Sequence, residues 1–425
     1  MQTIMGDGCP TCRGSLTSVG DAVPWCGSCE WNLDTFPDNR SDTWFWRRAR
    51  RAERRAGFRS DRHLAGSAEP LPIGGHAYAV LLALSMLLLL ADVALAVSGA
   101  WLILSDPWFW PIAGGLILIG IAALLRPRLG RLKPLLAHGY VVERRNAPTL
   151  HRMIDRLVTD LGAPRPDLVV FDFDWNAGVT RVGLRQTRVL VLGVPLLLAL
   201  TPQQVVALVG HELGHLRYED NRRRLVLQPA ATVFGRLARA VKPPHRAVQV
   251  AQNNHPLVAY ALLIWQLVGG SAYLLLSTVH LAVNGVIAAQ NRAMELRADQ
   301  MAARAAGTAA ALEALDTMTL LPILSGYLQH HVEKGEAAAR WRRYMGSVRG
   351  RHIDSLPARR QLSMRTAASV LADHPAAGRR HQWLSSQPAQ APGLLIEEAA
   401  GVRLEKEIAP YAEILHREML DRVIV

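Results

Sequence analysis

From Ala77 to Leu104 the chain is almost uninterruptedly apolar. A run of that length can satisfy its backbone inside a bilayer only as a helix, and it is long enough to cross with tilt. Asp92 is the exception within it, and a carboxylate there must face another helix or take up a proton. A short break, "SDPWFWP", carries Trp108 and Trp110, residue types that favour the membrane–water boundary. A second apolar run continues to Leu125, so residues 77–126 read as a transmembrane hairpin.

The charge pattern orients that hairpin. The chain holds 48 Lys+Arg against 35 Asp+Glu, and the excess is clumped beside the apolar runs. One clump, "WFWRRARRAERRAGFRSDRH" (Trp44 to His63), lies in a basic juxtamembrane linker over 41–76. The other, "RPRLGRLK", follows Leu125. Both outer ends are therefore positive and the connecting loop is not, which puts both ends in the cytoplasm. A nucleic-acid patch is the rival use of such arginines, but their place beside apolar runs favours the membrane.

Residues 1–40 read as a zinc ribbon. All four cysteines fall there, as Cys9–Cys12 and Cys26–Cys29, and two CxxC knuckles supply four thiolates for one structural zinc. Two disulfides are the alternative, but they need an oxidising compartment, whereas the arginines place this end in the cytoplasm.

Residues 127–222 begin a soluble α/β segment. "APTLHRMIDRLVTDLG" has a helical apolar period through Leu150, Ile154, Leu157, Val158 and Leu161, and "PDLVVFDFD" and "TRVLVLG" read as strands. "LTPQQVVALVGHELGHL" opens with Thr201, Pro202 and Gln204, a cap, a first-turn proline and a capping-box partner. Residues 223–289 return to the membrane through a weak run, Leu225–Val241, and a strong one, Leu257–Ala289. Residues 290–390 complete the soluble domain and 391–425 form a C-terminal helix.

His211 and His215 are four apart on that capped helix, so both imidazoles can reach one metal, and Glu212 stands beside them as a proton acceptor. A catalytic zinc needs a third protein ligand. A histidine six residues past the motif would serve, but Asn221 occupies that position. Downstream, Glu295 and Asp299 share a helical face in "NRAMELRADQMAARAAG", a spacing that suits one ligand carboxylate and one acid holding a histidine N–H. His138, His151, His245, His255 and His280 read as surface or interface residues.

With "NAG" at Asn176–Gly178, "HELGH" followed by Asp220, "ELRAD" at 295–299 and "HPAAGRR" at 374–380, the chain resembles the HtpX-like and CAAX-prenyl-protease-type membrane zinc metallopeptidases, a gluzincin group. The resemblance spans roughly Tyr140 to Leu384. It implies that His211, His215 and Glu295 bind the catalytic zinc, that Glu212 is the general base, and that Asp299 orients His211, with Asp220 also around the ligands. His374 and Arg380 would line the cleft and stabilise an oxyanion, and Asn176 and Ala177 would hold the substrate backbone. An extended substrate would add to an edge strand such as "TRVLVLG". Two departures stand out. Gln300 follows the acid where the family often has arginine, and the choice of Arg380 over Arg379 rests on spacing.

The expected fold is therefore a mostly α membrane protein, a transmembrane bundle joined to an α+β gluzincin-type domain and a small ribbon. Two zincs, one catalytic and one structural, are expected. So are a bilayer, membrane-protein or peptide substrates at the cytoplasmic face of a bacterial plasma membrane, and a protein partner for the ribbon; nucleic acid is not. A non-enzymatic scaffold is the rival. For the zinc segments to meet, an even number of crossings must separate His215 from Glu295. Either Leu225–Val241 also crosses, with Arg236 and Arg239 facing protein or water, or Gly269–Gly270 bends the longer run into a re-entrant hairpin.

Overall fold

Apolar periodicity and its punctuation account for most of the elements seen in the computed structural model. It describes all residues except 1, 4–7, 37–43, 68–74, 106–107, 127–129, 131, 138, 184, 219, 244–255, 331–335, 370, 373 and 424–425, so His138, His245 and His255 lie outside the described residues. Three short strands, β1 (Gln2–Thr3), β2 (Leu16–Ser18) and β3 (Trp25–Cys26), pair antiparallel around the cysteines. The stretch read as a linker instead forms helix α1 (Trp44–Ala65), because Phe58, Asp61 and Leu64 give it a buried face. Helices α2 (His76–Ser105), α3 (Phe109–Leu125) and α4 (Leu132–Leu136) follow.

Next come β4 (Tyr140–Val141), α5 (Pro148–Leu161), β5 (Leu168–Asp172), β6 (Ala177–Val182), β7 (Thr187–Gly193), α6 (Val194–Ala199) and α7 (Pro202–Arg217). The expected period holds in α5, whose Leu150, Ile154, Leu157 and Leu161 are buried and which stops at Gly162 in the left-handed region. Then come α8 (Asp220–Val241), α9 (Pro256–Ala306), α10 (Thr308–His330), α11 (Ala337–His352), α12 (Leu356–Thr366), α13 (Ala377–Ser385) and α14 (Glu398–Val423).

The chain forms two compact units. One comprises Met1–Pro72, Leu129–Asn221 and Asn291–Val425, and the other comprises Ile73–Arg128 and Arg222–Gln290. In the second, Leu81, Leu227, Ala230 and Val283 make a small core. Among the described residues two helices, His76–Ser105 and Tyr260–Ala306, are long and apolar enough to cross a membrane, and Phe109–Leu125 is a shorter apolar one. Helix α8 does not meet that test. Its Arg236 is buried, and Nη1 donates to the carbonyls of Leu124, Leu125 and Arg126 at 3.0, 3.1 and 2.7 Å. A cation there satisfies the orphan acceptors at the end of α3 and suits the negative pole of its dipole. The re-entrant alternative fails: α9 runs unbroken through Gly269–Gly270, since its intrahelical bonds need no turn there. The Oδ1 atom of Asp92 is buried and accepts no hydrogen bond from the described residues.

In the first unit the sheet order is β4-β5-β7-β6, with β5 and β7 parallel and the other pairs antiparallel. This corrects the expected edge. "TRVLVLG" is β7, an interior strand, because β6 folds back on it and pairs from Ala177↔Leu192 to Val182↔Thr187. The edge strands are therefore β4 and β6; β6 begins at Ala177, and at its far end Val182 bridges to Gly130. Val169, Phe171, Leu190 and Leu192 join the core side of α5 and α7 in one cluster.

Gly193 lets the chain turn from β7 into α6. Its N–H donates to the Asn176 carbonyl at 2.9 Å. A Cβ there would stand 1.8 Å from the Asp174 carbonyl oxygen and 2.6 Å from that of Asn176. Gly193→Ala should destabilise the unit by at least about 1–3 kcal/mol, the cost of overpacking. A thermal-unfolding midpoint equal to the parent's would contradict this packing.

Candidate metal centre

The capped start of α7 is built as its sequence demands. Thr201 Oγ1 accepts from the Gln204 N–H at 3.4 Å and Gln204 Oε1 accepts from the Thr201 N–H at 3.1 Å, a complete capping box. Gln203 Nε2 then donates to the Ala306 carbonyl at 2.9 Å and fixes the start of α7 against the end of α9. From there the two helices run antiparallel in close contact. A Cβ on Gly210 would lie 2.5 Å from the Ala305 Cβ, and one on Gly214 would lie 3.0 Å from the Ala298 Cα. Only glycine allows backbones this near, and the approach is what puts His211 and His215 opposite Glu295.

The three ligand-type residues converge. His211 Nε2 is 3.2 Å from His215 Nε2 and 3.4 Å from Glu295 Oε2, and His215 Nε2 is 3.3 Å from Glu295 Oε1. Bonds of about 2.0–2.1 Å from zinc to N and O give a tetrahedron with edges of about 3.3–3.4 Å, so the spacing is that of three corners. Glu295 is fully buried, and among the described residues neither of its oxygens has a hydrogen-bond donor in good geometry despite the imidazoles crowding them. A buried carboxylate left so would cost several kcal/mol unless a cation satisfies it (order of magnitude ~3–5). The donor set therefore fits zinc.

Around the ligands, Asp299 Oδ1 lies 3.1 Å from His211 Nδ1, the contact that fixes which imidazole nitrogen faces the metal. Arg380 forks onto Asp299, Nε to Oδ2 at 2.9 Å and Nη2 to Oδ1 at 2.5 Å, and its Nη1 is 3.6 Å from Glu295 Oε2. Burial works against the Arg380 charge, yet Asp299, Glu295 and Glu212 together hold its pKa above the ordinary value. Burial likewise opposes the Asp299 charge, but Arg380 and His211 bring its carboxyl below the usual range. Glu212 is buried beside His211.

The remaining expected residues are spread more widely. His374 Nδ1 is 2.7 Å from Glu295 Oε1 while its side chain is 58% exposed, so it stands on the open side of the centre. Arg379 does not approach the centre; it binds Glu30 of the ribbon. Asn176 contributes a backbone carbonyl to Gly193, Ala177 opens the edge strand, and neither has a contact with the ligands among the described residues. The side chain of Asp220 lies outside the described residues. His151 Nε2 meets the Val142 carbonyl at 2.8 Å, an ordinary packing role. Sequence reasoning missed Gly210 and Gly214; the signal was two glycines four apart facing the alanines of "ADQMAARAA".

The ribbon cysteines form a second cluster, with all four sulfurs within 4.8 Å of one another. Cys9 and Cys29 are 3.5 Å apart and Cys12 and Cys26 3.4 Å, far longer than a disulfide of about 2.0 Å and close to the roughly 3.8 Å edge of a four-sulfur zinc tetrahedron. The ribbon is docked rather than loosely appended. Buried Arg365 donates to the carbonyls of Val23, Asn32 and Leu33 at 2.7, 3.0 and 3.1 Å, and Trp25 Nε1 donates to Gln361 Oε1 at 2.7 Å.

Residues 144–388 match the family model of Peptidase family M48, which is more than half of the chain, and the chain belongs to that family of metallopeptidases. No solved structure matches it.

Gly214→Val should push α9 away and cost one zinc per chain by elemental analysis while the ribbon keeps its metal; parental zinc content would refute the close approach as the cause. The depressed Asp299 carboxyl stabilises the fold above the ordinary carboxylate range, and that contribution is lost as pH falls through its lowered value. Metal-free Asp299→Asn protein should therefore show a shallower loss of stability on acidification than the metal-free parent, measured by denaturant titration.

Proposed function

We propose that this member of Peptidase family M48 is an integral-membrane zinc endopeptidase that cleaves membrane proteins or peptides at the cytoplasmic face. The observation that carries the reading is the tetrahedral spacing of His211, His215 and Glu295, whose two buried carboxylate oxygens accept no hydrogen bond from the described residues. Zinc held by these three would supply Lewis acidity and an activated water near neutral pH.

The chain's own residues then have separable tasks. Glu212, one residue from the first ligand and inside the buried site, takes the proton from the attacking water and returns it to the leaving amine. Asp299 holds the His211 ring, and Arg380 holds Asp299 ionised. His374, exposed on the open side, donates to the oxyanion of the tetrahedral intermediate. Arg380 commits Nε and Nη2 to Asp299 and turns Nη1 toward Glu295, so its contribution to the oxyanion is electrostatic. The substrate lies extended along the outer edge of β6 ahead of the Gly130 bridge at Val182, with Asn176 and Ala177 at the end where that edge begins.

The membrane assignment is supported by exposure as well as composition. Only 11% and 17% of the most apolar windows of the two long helices are buried, where the core helix of a soluble protein would be covered. The arginine clumps on both sides of the first hairpin orient it with the site in the cytoplasm.

Glu212→Gln should retain zinc at both sites and lose peptide cleavage by about 10²–10⁴-fold, the usual worth of a general base. Cleavage at the parental rate would sink this mechanism.

A further inference from the structure

One of the ribbon's docking contacts leads toward the metal centre. Glu30, the residue after Cys29 in the second metal knuckle, accepts two hydrogen bonds from Arg379, Nη1 to Oε1 at 2.7 Å and Nη2 to Oε2 at 2.8 Å. Arg379 is nearly fully buried, and its guanidinium lies 4.9 Å from the Phe58 ring centroid on α1. It is also the immediate neighbour of Arg380, whose side chain grips Asp299 and reaches the His211 ring. Adjacent residues on the two-turn helix α13 cannot move independently, so fixing one arginine limits the other.

A second tie runs from the same place to the Glu295 ligand. Arg292, one turn before Glu295 on α9, lies with Nε 3.3 Å from Asp61 Oδ1 and donates from Nη2 to Ser60 Oγ at 3.1 Å, both on α1. Burial lifts the Asp61 carboxyl to about 6, and the charges of Arg292 and Arg379 oppose that rise. Glu30 with Arg379, and Asp61 with Arg292, are thus two ion pairs on residues that lead to the two sides of the metal centre.

We infer that the ribbon is a brace of the peptidase centre, with Glu30 acting as a positioning residue that sets Arg379 and, through Arg380 and Asp299, the His211 ligand. The inference rests on the reading of His211, His215 and Glu295 as zinc ligands. A ribbon of four thiolates folds around its metal, so the brace exists only while that metal is held. Partners outside the ligand shell of this kind change metal affinity or activity by about 10–100-fold.

The test uses the full chain in detergent, with zinc release to a chromogenic chelator and kcat and KM on an unstructured peptide. The catalytic-site phase of release is identified by its absence in His215→Ala. Glu30→Gln should speed that phase and lower kcat by about 10-fold each, at the lower bound for outer partners, with KM little changed. Arg379→Gln should do the same and the double variant no worse, while Glu30→Asp recovers most of the loss. Arg62→Gln removes the other, more exposed partner of Glu30 and should behave as the parent. Should Arg379→Gln fail to fold by near-ultraviolet circular dichroism, the Glu30→Gln and Glu30→Asp pair decides alone. Parental release and kcat in Glu30→Gln, or losses that add in the double variant, overturn the brace. A parent that holds no zinc at His215 would instead overturn the functional reading.

Discussion

The close antiparallel passage of α7 against α9 is the constraint on which the centre depends. Two histidines on one helix can share a metal with a carboxylate on another only if the backbones come nearly into contact. Gly210 and Gly214 permit this, and Ala298, Ala302 and Ala305 meet them from the other side. The rest of the unit serves that passage. Gln203 sets the register against Ala306, the sheet backs α7, and Arg380 and Asp299 fill the remaining polar valence. The apolar packing around them excludes water, which strengthens each of these electrostatic contacts.

Much of this was legible in the residues. The capping box at Thr201, the period of α5 and the order of the four motifs each state a local rule, and the structure obeys those rules. What the sequence could not convey was pairing between distant segments. "AGVTRV" is short and carries a glycine at its second position, so it announces a strand only weakly, yet β6 covers β7 and takes over that edge. The stretch over 41–76 reads as a basic juxtamembrane linker because its arginines are so densely clumped. Phe58 and Leu64, apolar residues among them, recur on one side and find a core that lies hundreds of residues later.

Arg365 and Arg236 illustrate the same limit. Each is one arginine among many, and each is buried because three carbonyls point at it. A guanidinium with five donors satisfies such a cluster where lysine cannot, so the substitution would not be conservative at either place. The ordering of Arg379 and Arg380 has the same origin. Consecutive side chains on a helix diverge by about 100°, so one reaches the metal centre and the other the ribbon.

The dock of Trp25 on Gln361 has a consequence for synthesis. The partners are 336 residues apart, and at ribosomal speeds the ribbon waits roughly 20–70 s for its seat to be made. In that interval Trp25 and Leu33 have no α12 to cover them. Until then the ribbon has only its own paired strands, its clustered sulfurs and the first helix, whose Phe58 shares its core, to hold it together.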